Sequence, residues 1–183
     1  EELLRLFMLG AVTRIFQPGY KFDMMLCLTG GQGAGKSSFF RFLAGNDEWF
    51  SDDLRKLDDE NVYRRIMGHW IIEMSEMMAT GNAKNVEEIK SFLSRQKDTY
   101  KVPYDKFPAD RPRQCVFAGT SNKLDFLPHD RSGNRRFLPI RIDPDKAEVH
   151  ILANQQTSRA YFNQLWAEIM VIYRSGEYSL QLS

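Results

Sequence analysis

Gly30-Gly31-Gln32-Gly33-Ala34-Gly35-Lys36-Ser37 is the stretch on which the reading of this sequence turns. It has the form G-x-x-x-x-G-K-[ST], the Walker A or P-loop pattern. The chemistry dictates the residues. A chain that wraps closely around an anion turns its backbone N–H groups inward, and glycine tolerates the dihedrals this requires. A helix that follows points the positive end of its dipole at the same anion. Lys36 is then placed to reach the β- and γ-phosphates of a nucleotide, and the Ser37 hydroxyl to ligate Mg²⁺. These eight residues and Ser38 are the expected nucleotide-binding set. A flexible glycine loop without ligand is the alternative, and the context argues against it. The apolar run 22–28 before the loop has no helical period and reads as a buried strand, while 38–44 after it is helix-like.

Working outward, Trp70-Ile71-Ile72-Glu73 places a carboxylate behind three bulky apolar residues, at the end of a second buried strand expected over 69–74. Glu73 has the position of a Walker B acid that holds the water shell of Mg²⁺. The position after it is Met74, so the nearest further acid is Glu76, either a second catalytic carboxylate or a first-turn helix acid. A third strand, 115–118, runs into Gly119-Thr120-Ser121-Asn122. A neutral amide at that tip orients water and senses the γ-phosphate without adding repulsive charge, which makes Asn122 the expected sensor. Arg135 and Arg136 lie between Gly133-Asn134 and a fourth strand, 136–142. One of them is expected to act as an arginine finger, in a neighbouring subunit's site or its own; the alternative is a solvated edge pair.

The remaining elements follow from periodicity. Leu3, Leu4, Leu6, Phe7, Leu9 and Val12 mark a first helix, closed by Gly10 or by Pro18-Gly19. Residues 61–67 read as a helix, and Val86, Ile89, Phe92 and Leu93 line one face of another. Residues 98–106, with Pro103 in the middle, read as a short hairpin or irregular loop. Phe162, Leu165, Trp166, Ile169, Met170 and Tyr173 define a last helix capped by Gly176. Strands alternating with helices imply an α/β fold with a mainly parallel central sheet flanked by helices. At 183 residues one domain is expected. It divides into an N-terminal helix and linker (1–21), a nucleotide-binding core (22–142) and a C-terminal helical segment (143–183). The chain begins at Glu1 without Met and is expected to be part of a longer protein.

Hydrophobic residues make up 43% and charged residues 27%, ordinary values for a globular protein. The longest apolar run, 6–12, is far below the ~20 residues of a membrane span. Cys27 and Cys115 sit in separate apolar runs, which speaks against a zinc cluster or a disulfide framework, and a cytoplasmic location is expected. The net charge of +1 hides an asymmetry: 47–60 carries seven acids against two bases, and 111–141 seven bases against two acids. Either these are solvated surface, or they are two complementary faces of which the basic one meets phosphate or a neighbouring subunit.

With these residues in hand, the chain resembles the virulence-associated protein E family of phage and prophage proteins, relatives of the superfamily 3 helicases within the AAA+ class. The resemblance runs from about residue 22 to 177. It rests on Gly33-Ala34-Gly35-Lys36-Ser37, Trp49-Phe50-Ser51-Asp52, Trp70-Ile71-Ile72-Glu73 with Glu76, and Lys90-Ser91-Phe92-Leu93-Ser94-Arg95 with Asp98. It continues through Pro103-Tyr104, Pro112-Arg113-Gln114-Cys115-Val116-Phe117, Gly119-Thr120-Ser121-Asn122, residues 133–137, and Leu165-Trp166-Ala167-Glu168 with Gly176-Glu177. The resemblance implies a ring-forming, DNA-dependent P-loop ATPase that couples hydrolysis to DNA translocation or unwinding in replication of a phage or integrated element, in a bacterial host cell. Mg²⁺-ATP would sit at the subunit interfaces of a hexamer, with the finger acting in trans on Arg135 or Arg136, Arg136 matching the superfamily placement slightly better. It also implies a DNA-contacting hairpin between the Walker B and sensor strands, where Lys97, Lys101, Tyr104 and Lys106 would meet single-stranded or forked DNA. The alternatives are an ATPase that remodels or loads a replication protein without unwinding, and an ATP-switched protein-binding module.

Overall fold

A computed structural model describes residues 1–54, 57, 62–75, 83–102, 104–123 and 134–182. The strands, in chain order, are β1 (Met25–Thr29), β2 (Phe50–Ser51), β3 (Ile71–Met74), β4 (Lys97–Tyr100), β5 (Ala109–Pro112), β6 (Val116–Ser121) and β7 (Phe137–Arg141). The helices are α1 (Glu2–Phe16), α2 (Lys36–Leu43), α3 (Val62–Ile66), α4 (Ala83–Leu93) and α5 (Gln155–Ser175). Five strands form one sheet in the order β2-β3-β6-β1-β7, every neighbouring pair parallel. β4 and β5 form a separate antiparallel hairpin.

The alternation of side chains along these strands sorts the core into two layers. Leu26, Leu28, Ile71, Val116, Ala118 and Leu138 point to the side covered by α1, α2 and α5. Met25, Cys27, Ile72, Met74, Phe117 and Phe137 point to the other, against Val62 and Ile66 of α3 and Val86, Ile89 and Phe92 of α4. Strands covered on both faces need apolar residues at nearly every position, which is why β1 and β3 are buried throughout and apolar except for Thr29 and Glu73. The architecture is the α/β sandwich, with a parallel central sheet, that the alternation of elements predicts.

Several boundaries differ from expectation. Of the two expected stops for α1, the helix takes the second: it runs through Gly10, which sits under the ring of Phe22 with an added Cβ coming within 2.4 Å, and ends just before Pro18-Gly19. β6 extends to Ser121, past the 115–118 run, since pairing of Cys27 with Gly119 and Thr29 with Ser121 draws the expected turn into the sheet. β2 was not legible: two residues carry no period. The hairpin's second strand falls at Ala109–Pro112, beyond the 98–106 window. It is tied to the body by Arg113, whose Nε and Nη2 donate to Asp98 at 2.6 and 2.7 Å and whose Nη1 donates to Phe92 O. Pro139 is tolerated in β7 because that strand is the sheet's edge. Among the described residues no helix is long and apolar enough to cross a membrane.

Candidate functional site

All five strands of the parallel sheet end on the same side, and the Gly30–Ser37 stretch leaves β1 there. Gly35 is the N-cap of α2 with φ 76°, a left-handed conformation in which a side chain is strained. Lys36 and Ser37 therefore open the helix with the loop arched over its positive end. The Lys36 ammonium donates to Gly30 O at 2.9 Å, Gly31 O at 2.7 Å and Asn122 Oδ1 at 3.0 Å. Burial lowers its pKa, an effect that the Glu73 carboxylate partly offsets.

Glu73 and Asn122 arrive from two neighbouring strands. Glu73 is fully buried at the end of β3, on the α2 side of the sheet. Its Oε1 accepts from Ser37 Oγ at 2.8 Å and from Thr120 Oγ1 at 2.5 Å, while Oε2 is buried without a partner. Burial pushes its carboxyl above the usual carboxylate range; the Thr120 and Ser37 hydroxyls pull the other way, and the charge of Asp52 adds to the rise. Asp52 follows β2, whose register pairs Ser51 with Ile72, so it is the next position alongside Glu73 and on the same face. Thr120 and Asp52 were missed as site residues. Thr120 reads as part of a turn, and Asp52 lies beside a strand too short to recognise. Glu76 lies outside the described residues. The cleft has a volume of about 610 Å³ and is lined by the loop, Ser75, Thr120, Asn122, Lys123 and Leu152.

The paired arginines are elsewhere. β1 and β7 run parallel in register from Met25↔Phe137 to Thr29↔Arg141. Arg135 and Arg136 precede Phe137 while the loop follows Thr29, so the length of β1, roughly 13 Å at 3.3 Å per residue, separates them from the loop. Arg136 Nε donates to Asp23 Oδ2 at 3.0 Å in a largely shielded ion pair. Arg135 is exposed and has no ion-pair partner among the described residues.

Comparison with known families settles the relationship: the model of the virulence-associated protein E-like domain matches residues 1–183. The chain belongs to that family. A solved structure of the C-terminal region of NrS-1 is similar at 16% identity with a TM-score of 0.63, covering 92% of this chain and 40% of that one. A second structure of the NrS-1 C-terminal region gives 18% identity and a TM-score of 0.55, covering 91% and 42%. These likenesses show a shared fold, and the chain spans about two fifths of the solved chains it matches. No curated protein matches it.

Two further features of this virulence-associated protein E-like domain bear on the site. At the tip of the β4–β5 hairpin Tyr104 is fully exposed with φ 76°, and Lys101, Lys106 and Phe107 are also exposed. Lys97, by contrast, is paired with Asp110, and Arg111 with Asp105 at 3.2 Å. A larger groove of about 820 Å³ lies by the opposite ends of β3 and β6, lined by Trp49, Trp70, Trp166 and the stem of the hairpin. Its tryptophans are structural: Trp70 Nε1 donates to Ala11 O, Trp166 Nε1 to Leu43 O, and the two rings lie 4.6 Å apart. The smaller, polar cleft is the one with convergent groups suited to phosphate.

Proposed function

We propose that this chain is a Mg²⁺-dependent ATPase of the AAA+/superfamily 3 helicase type, whose turnover drives translocation along, or unwinding of, DNA in replication of a phage or integrated element. The observation that carries the reading is convergence: Lys36 and Ser37 from the loop and Asn122, just after β6, line one cleft, and Glu73 of β3 lies buried behind it, bonded to Ser37. The strand order, with the loop on β1 and the acid two strands away across β6, supports the P-loop reading. Membership of the virulence-associated protein E-like family supports the phage context.

The donor set suits Mg²⁺, which takes one or two protein oxygens and keeps several waters. Ser37 Oγ and the unpartnered Glu73 Oε2 would be those oxygens. Bound Mg²⁺ would neutralise charge on the β- and γ-phosphates. Lys36 would exchange its carbonyl partners for phosphate oxygens, Glu73 would hold the ion and its water shell, and Asn122 would orient the attacking water. Arg135 serves a neighbouring subunit, being too far from its own loop and not held by Asp23. Lys101, Tyr104 and Lys106 are the residues offered to DNA, with Phe107 beside them. A second reading, an ATPase that remodels or loads a replication protein, is favoured by the hairpin's charge: Lys97 and Arg111 are neutralised by Asp110 and Asp105.

The test is ATP turnover with and without single-stranded DNA, with mass by light scattering. The motor reading expects DNA-stimulated turnover from a ring, and a fall of at least about 100-fold in Lys36→Ala. Turnover indifferent to DNA selects the remodeller; absence of turnover in an assembled sample overturns both.

A further inference from the structure

We infer that His150, Ile151 and Leu152 form the nucleoside wall of the cleft, holding the sugar and base of the nucleotide whose phosphates the loop binds. The inference rests on the nucleotide reading above and assigns a part of the site that the Walker residues leave open. The sequence gives these residues no motif. Only the course of the chain beyond β7 brings them to the loop.

That course begins beside Gly30. Ile142 N donates to Thr29 O at 2.7 Å, and a Cβ on Gly30 would lie 2.7 Å from Ile142 O. The chain then returns over the other end of the loop. A Cβ on Gly35 would lie 3.1 Å from Ile151 Cγ2 and 3.9 Å from His150 Nε2. Leu152, about half exposed at 47%, lines the cleft opposite the loop's polar groups. An apolar side chain there contributes nothing to phosphate, but it suits ribose carbons and a planar base.

The segment is fixed before any ligand arrives. Ala153 N donates to His150 O at 2.8 Å, and Ser158 Oγ to Ile151 O at 2.7 Å. Asn154 caps α5 by accepting from Thr157 N at 3.0 Å. Leu152 N donates to His150 Nδ1 at 3.2 Å, which leaves the neutral ring's proton on Nε2, the nitrogen nearer Gly35. His150 thus presents a donor for a ribose hydroxyl, with Leu152 as the apolar surface next to it. α5 is itself anchored to the loop's helix: the Phe162 ring lies 5.3 Å from Phe39 and 6.3 Å from Phe42. The wall and the phosphate loop are consequently one rigid unit, which keeps the ordering cost of binding low.

Titration calorimetry with Mg²⁺-ATP and with Mg²⁺-tripolyphosphate separates the wall from the loop, because tripolyphosphate has no nucleoside. In His150→Ala/Leu152→Ala the affinity for ATP is expected to fall about five- to tenfold, with tripolyphosphate held within about twofold. Both side chains are exposed or half-exposed, so the variant's thermal melt should match the parent's. Leu152→Ser alone is a milder second variant with the same expected direction. As an independent readout, 8-azido-ATP should photolabel the peptide containing 150–152. An unchanged ratio of the two affinities, or labelling confined to other segments, overturns the wall while leaving the nucleotide reading intact. If the parent chain binds neither ligand, the nucleotide reading falls and the wall with it.

Discussion

Glu73 meets two demands that pull against each other. Full burial lets it hold Ser37 and Thr120 in place, and the same burial makes its charge costly, which is why its pKa is raised. A carboxyl with a raised native pKa contributes stability that is complete below its unfolded value, and that is lost as the pH climbs through the native one. Glu73→Gln keeps an oxygen for the two hydroxyls and removes the charge. With a chelator present, it is expected to melt higher than the parent at pH 7, with the gain shrinking toward pH 4 in a scan by circular dichroism. The same variant should lower turnover about 100-fold or more, as expected for loss of a carboxylate that holds the catalytic metal ion. Lys36, Ser37 and Glu73 are legible as a motif and a strand-end acid. Thr120 and Asp52 are not, because each becomes a neighbour of Glu73 only through the register of β6 and β2.

At the scale of elements, α1 and the hairpin show how packing overrides local preference. A glycine inside a helix normally costs about 1 kcal/mol relative to alanine, so Gly10→Ala should stabilise an isolated α1. Here the ring of Phe22 occupies the space of the missing Cβ, and Phe22 is itself buried. Gly10→Ala is therefore expected to destabilise the chain, by about 1–3 kcal/mol as for other overpacked sites, measured by urea denaturation. In the hairpin, the anchor is the buried Arg113–Asp98 pair, its guanidinium also stacked over Phe92 at 4.3 Å and near Phe117. Arg113 therefore belongs to the core, although the sequence places it in the basic stretch. Arg136 and Arg111 are likewise paired with acids of the same chain. On the acidic side Asp47 lies 3.7 Å from Arg159, and Asp53 lies 3.5 Å from Arg65. Part of the charge that looks available for a partner is spent inside the fold.

For the whole molecule, the parallel sheet sends every strand toward the same edge, so the phosphate loop and the arginines that precede β7 stand at opposite ends of it. On the ATPase reading, Arg135 or Arg136 would reach the phosphates only from a second copy of the chain. Subunits carrying Arg135→Ala, mixed with subunits carrying Glu73→Ala, are expected to recover part of the turnover that neither shows alone. The check is ATP hydrolysis across mixing ratios in a sample shown to exchange subunits. A flat, inactive series would rule out a shared site, and full activity of Arg135→Ala by itself would remove that arginine from the reaction. Because Arg136 is held by Asp23, its replacement should act mainly on stability, a distinction the matching of the pair to the family pattern does not make.

The sequence alone determined the Gly30–Ser37 loop, its strand and helix, the acid after Ile72, the amide at Asn122 and the alternation that makes an α/β sandwich. These are local patterns: a glycine spacing, apolar runs of strand length, and helical periods, each readable within a dozen residues. The tertiary structure decided which distant groups share the cleft and which do not. Strand register brought Thr120 and Asp52 to Glu73, the return of the chain over Gly35 brought His150 and Leu152 to the loop, and parallel pairing carried Arg135 away from it. Those relations depend on sequence separations of tens of residues and on the pairing order of strands, which no local period encodes.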